Sequence, residues 1–152
     1  MKNNILFILL FTSTFIFSQH INTRFISVDK GATEKFENGV AKKTKAFNSK
    51  EGQIRYYTFL VNTGSNMGNY MRVRYEDEMK GFDVNPSKEA MTLWNAEVSD
   101  VMTNMNGRMQ SLNKNASHVV VSPFSKPLRT VMEYSYKGGM SDEFWRFRNN
   151  VA

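Results

Sequence analysis

From Tyr70 to Glu76 the side chains alternate strictly, with Met71, Val73 and Tyr75 on one side and Tyr70, Arg72, Arg74 and Glu76 on the other. A pattern of period two makes a strand with two unlike faces, so the chain is built around a sheet that meets two different surroundings. Residues 53–61 are apolar on nearly both sides and rich in aromatic and β-branched types, which suits a central strand. The loop between them, 62–69, contains Gly64 and Gly68, and the two runs predict a hairpin with a long loop. A shorter run of the same kind, 24–28, stops at Asp29, Lys30 and Gly31 and predicts a first strand.

Between the first two strands the period changes. Phe36, Val40 and Phe47 form one helical stripe after Thr33, with Glu34, Lys35, Lys42, Lys43 and Lys45 around the other side, and Thr33 or Asp29 is placed to cap its start. Gly39 costs such a helix about 1 kcal/mol relative to alanine, which points to a neighbour packed close or to a locally weak turn. After an irregular stretch, 77–85, Asn85, Pro86 and Ser87 read as a helix start. Met91, Trp94, Val98, Val101, Met102, Met105, Met109 and Leu112 then recur at three- and four-residue steps and predict one long helix, ended by 113–117. A short β-branched run, 118–122, and a connection bracketed by Pro123 and Pro127 lead to a further strand at 128–136. Gly138 and Gly139 break the chain before Ser141 or Asp142 begins an amphipathic piece holding Phe144, Trp145 and Phe147.

In order this is strand, helix, strand, strand, helix, strand and a helical tail. It resembles the ferredoxin-like α+β sandwich, a βαββαβ unit with an antiparallel sheet and two helices on one face. Over residues 24–136 it looks most like the dimeric α/β-barrel group built on that fold. The resemblance implies a homodimer in which two sheets face each other. Met71, Val73 and Tyr75 are then the natural occupants of the helix-covered side. Arg72 and Arg74 stand on the opposite face, joined by Arg55, Tyr57, Arg129 and Glu133 from neighbouring strands, and line an interior cavity. Arginines enclosed in this way require anions, from a ligand or from the protein, because unpaired buried charge is costly. A solvated face of alternating charge is the other reading.

Residues 1–18 are set apart from the domain. Lys2 is followed by an uncharged, mostly apolar run, 5–17, that stops at Ser18 and Gln19, the pattern of an export signal cut after Ser18. It is similar to the signals of exported Gram-negative proteins. The run is shorter than the roughly 20 apolar residues of a spanning helix and is broken by Thr12, Ser13 and Thr14, and no cysteine follows it to carry a lipid. The expectation is export to the periplasm or outside the cell, with a domain at 19–140, a helical segment at 141–152 and no transmembrane segment in the mature chain. About 130 residues suffice for a single core. The whole chain has no cysteine, so packing rather than disulfides must hold it, and thiol chemistry is excluded. Twenty Lys and Arg against 14 Asp and Glu give a net charge of +6, which favours anionic neighbours but is ordinary for a soluble surface. Residues 36–41 and 147–152 share Phe, Asn, Val and Ala at matching positions, consistent either with the start of a truncated second unit or with an ordinary terminal helix.

Few residues carry recognisable chemistry. His20 lies beside the cut and His118 opens a strand-like run, and neither has a cysteine or acid at ligand spacing, so no zinc pattern is present. No serine elbow, HExxH or phosphate loop occurs. Met102, Met105 and Met109 at helical spacing suit Cu(I), and suit a core equally well. Residues 69–75 lack the glycine and paired aromatics of an RNA-binding strand, so no nucleic-acid partner is expected. The leading reading is an exported, non-enzymatic domain that self-associates through its sheet and has room there for a small anionic ligand. The alternatives are a small haem- or oxygen-using enzyme of the dimeric-barrel class, with His118 and the strand arginines near its substrate, and a Met-rich Cu(I) protein. No motif names a cofactor.

Overall fold

A computed structural model describes residues 19–118 and 127–151. The expected export signal, and all of the 118–122 run except His118, lie outside the described residues. The elements follow in the order β1 (His20–Val28), α1 (Thr33–Phe47), β2 (Tyr57–Leu60), β3 (Tyr70–Glu76), α2 (Lys88–Glu97), β4 (Met102–Ser111) and α3 (Ser141–Val151), with short 3-10 turns at Met79–Asp83, Ser99–Val101 and Lys114–Ala116. The four strands form one antiparallel sheet in the order β2-β3-β1-β4. With α1 linking β1 to β2 and α2 linking β3 to β4, this is a ferredoxin-like α+β fold.

The core sits between the sheet and both helices. Ile26 of β1 and Tyr70 of β3 are cross-strand partners, and the Tyr70 ring packs 4.5 Å from Phe36 of α1, while Val40, Val98 and Val101 close the cluster. A Cβ on Gly39 would stand 2.7 Å from the Glu97 carbonyl oxygen and 2.8 Å from Val98 Cγ2, so the glycine lets α1 pack closely on the end of α2. Two lysine–carboxylate pairs, Lys35 with Asp100 (2.5 Å) and Lys42 with Glu97, clamp the same helix contact from outside. Ser87 caps α2, its hydroxyl accepting from the Ala90 N–H at 3.2 Å. Neither Thr33 nor Asp29 caps α1 through its side chain; Ala32 holds that position, and the Asp29 carbonyl receives the Ala32 N–H.

Four expectations about the sheet and its helices are overturned. The long helix ends at Glu97, and residues 102–111 are strand β4. A step of four keeps side chains on one face of a strand as well as of a helix, so Met105 and Met109 fitted both periods. A register shift at Ser27/Val28 opposite Thr103 brings Met102 into phase with them. β2 is the short edge strand Tyr57–Leu60, not a central one, and its first half, 53–56, runs outside the sheet. Residues 128–136 form no strand, because β4 already occupies the free edge of β1.

The fourth concerns the faces of β3. Tyr70 enters the core opposite Ile26, and the parity of the strand carries Arg72 and Arg74 to the helix-covered side with it. Met71, Val73 and Tyr75 therefore face the other way, although Val73 is buried there too, at 3% exposure. Among the described residues no helix is long and apolar enough to cross a membrane.

Candidate functional site

The strand register splits the helix-covered face in two. One end holds the apolar pair Ile26 and Tyr70. Toward the other end Arg24 stands directly across from Arg72, and Asn22 from Arg74. Like charges placed opposite each other destabilise a sheet, so this half favours something negative above it. A cavity of about 460 Å³ opens there between the sheet and α2, reached by Lys43 of α1, Trp94 and Met91 of α2, and Tyr56 ahead of β2.

Arg72 is its centre. The side chain is 5% exposed, its guanidinium lies 4.5 Å from the Tyr56 ring centre and 4.7 Å from that of Trp94, and its Nη1 donates to Thr58 Oγ1 at 2.8 Å. No carboxylate among the described residues pairs with it. Burial lowers its pKa to about 10, with the Arg24 charge adding to the shift. Lys43, read from the sequence as an outward residue, is 3% exposed and faces the same two rings, with Nζ 5.0 Å from Tyr56 and 5.8 Å from Trp94. Its Nζ donates to Asn48 Oδ1 (2.9 Å), and the Asn48 amide donates to the Ile54 carbonyl (2.6 Å), tying down the segment that carries Tyr56. Burial first, and the Arg72 charge second, bring the Lys43 pKa down to about 8.

Arg74 has a different part. It pairs with Glu76 at 2.6 Å, donates to the carbonyls of Gly81 (2.5 Å) and Val84 (3.1 Å), and lies 5.1 Å from the Phe82 ring, so it locks the Met79–Asp83 turn onto β3 as a wall of the cavity. Met91, Met102, Met105 and Met109 line the cavity and supply its apolar surface. They are neither a helix stripe nor a closed core; Met105 and Met109 remain substantially exposed.

The remaining sequence candidates lie elsewhere. Arg55 and Tyr57 line a second hollow, about 380 Å³, where β3 runs on past the end of β2. Tyr57 and Tyr75 meet edge to face at 6.3 Å on the open side of the sheet. Arg129 lies on that same side, 4.8 Å from the Phe59 ring, and Glu133 pairs with Arg108 of β4. His118 is exposed and lines neither hollow. Among the described residues no cluster of His, Asp or Glu could hold a metal.

No family model and no curated protein matches the sequence. Among solved structures the chain is similar to a Bordetella bronchiseptica protein classed as an antibiotic biosynthesis monooxygenase, at 16% identity and a TM-score of 0.47, over 64% of this chain and 97% of that one. It is also similar to an uncharacterised NIPSNAP-like domain protein of Burkholderia xenovorans, at 10% identity and a TM-score of 0.49, over 76% of this chain and 95% of that one.

Sequence reading missed Lys43, Tyr56 and Arg24. For Lys43 a signal existed: it falls on the stripe of Phe36, Val40 and Phe47 at the spacing of an inward residue.

Proposed function

We propose that this chain is an exported binding domain that takes a small, flat, anionic ligand into the cavity between its sheet and helices. One observation carries the reading: a buried guanidinium, Arg72, stacked between Tyr56 and Trp94, with Arg24 across the sheet, Lys43 beside it and no carboxylate partner among the described residues. A planar cation held by stacking keeps its N–H donors in its own plane, where those not taken by Thr58 suit a bidentate carboxylate or phosphate. The methionines and Trp94 around it suit an apolar body attached to that anion.

The test is a titration with benzoate and with inorganic phosphate, followed by Trp94 fluorescence in a Trp145→Phe background so that a single tryptophan reports. Binding that weakens roughly tenfold to a hundredfold in Arg72→Gln, as expected for a charge-assisted hydrogen bond, supports the site. A signal unaffected by this substitution rejects it. Self-association belongs to the same proposal, through the open side of the sheet rather than the arginine side. Leu128 (80% exposed), Val131 and Met132 (69%) lie on the stretch whose Arg129 and Glu133 touch that side, and a second copy would cover them.

A further inference from the structure

Lys43 is an amine inside a cationic, aromatic cavity. Among the described residues it forms no ion pair, and its ammonium nitrogen is held by Asn48, a neutral acceptor. With the pKa near 8, roughly one molecule in ten carries the neutral amine at pH 7, against fewer than about one in a thousand for an ordinary lysine. In that form Asn48 Oδ1 takes one N–H and the nitrogen lone pair stays free. A desolvated lysine beside a second cation is the arrangement that makes an amine reactive toward carbonyl carbon.

We propose that Lys43 forms a Schiff base with a small oxo acid whose carboxylate is held by Arg72. The inference rests on the anion-binding reading of this cavity and names the class of ligand it takes. Nζ adds its lone pair to the carbonyl carbon while the C=O π pair moves to oxygen. A proton passes from nitrogen to that oxygen, giving a carbinolamine. The hydroxyl takes a proton from solvent and leaves as water while the nitrogen lone pair forms the C=N bond, and the protonated imine so formed returns that proton to solvent when it becomes neutral. Amine and carbonyl thus become imine and water, and nothing is oxidised or reduced. The imine is cationic when protonated and lies close to the ligand's own carboxylate, which offsets the charge of Arg72.

The full chain is incubated with pyruvate, a 2-oxo acid, or acetoacetate, a 3-oxo acid, then reduced with sodium cyanoborohydride and analysed by intact mass and peptide mapping. The expected result is a reduced adduct on Lys43, favoured roughly tenfold or more over exposed Lys35 and Lys42 because of its larger neutral fraction. The adduct is expected to disappear in Lys43→Arg and to weaken in Arg72→Gln. Should either variant fail to fold, suppression of the wild-type adduct by excess benzoate, which has no reactive carbonyl, provides the same information. Adducts spread evenly over surface lysines overturn the proposal. Benzoate binding without an adduct on Lys43 overturns the Schiff base and leaves the anion site standing. Absence of both overturns the two readings together.

Discussion

Arg72 and Arg74 are two residues apart on one strand and look equivalent in sequence, yet their surroundings separate them. Arg74 has an acid and two carbonyls for its donors, while Arg72 has one hydroxyl and two ring faces. Lys43 gives this difference a measurable pH signature. Its folded pKa, about 8, lies below the 10.5 of an ordinary lysine, so between those values the unfolded chain binds more protons than the folded one and stability rises with pH. Between pH 8 and 10 the gain is on the order of 2 kcal/mol. Above pH 10 Tyr70 works in the opposite direction, since burial and its hydrogen bond to Glu37 hold the phenol up to about 12. Thermal melts should therefore show wild type gaining on Lys43→Met from pH 8 to 10. Parallel curves for the two proteins across that window would show that the amine is not desolvated.

At the scale of elements, α1, β3 and the start of α2 follow their sequence patterns because each is decided locally, by an amphipathic stripe, strict alternation or a Ser87 cap. β4 was not legible in that way. Met105 and Met109 satisfy both periods, and the residues between them, Asn106, Gly107 and Arg108, have no apolar stripe to settle the matter. The unpaired edge of β1 decided it, taking up residues 102–111 in an extended ladder. Gly39 offers the element-scale test. Replacement by alanine adds helix propensity worth about 1 kcal/mol, but puts a methyl into the Glu97 backbone and the Val98 side chain. Overpacking of this kind costs about 1–3 kcal/mol, so Gly39→Ala should lower the urea midpoint. A raised midpoint would mean that α1 and α2 separate without penalty.

For the whole molecule, the question is which side of the sheet meets which partner. The helices cover the arginines, and the other side carries Phe59, Met71 and Tyr75 beside the exposed apolar residues of 128–136. If a second copy covers them, light scattering should give a dimer mass and Met132→Glu should shift it toward the monomer. A monomer at every concentration removes the self-association. Export is tested separately, by N-terminal sequencing of the protein secreted from a Gram-negative host, where a start at Gln19 is expected.

The elements from β1 to the start of α2 and the existence of two unlike sheet faces were written in the sequence, because period and capping act over a few residues. Which face the helices would cover was not, since alternation defines two sides without naming either. Contact between Tyr70, Ile26 and Phe36 chose the side, and strand parity then carried Arg72 under the helices to meet Lys43, 29 positions earlier in the chain. That meeting, and the cavity around it, is a product of tertiary packing alone.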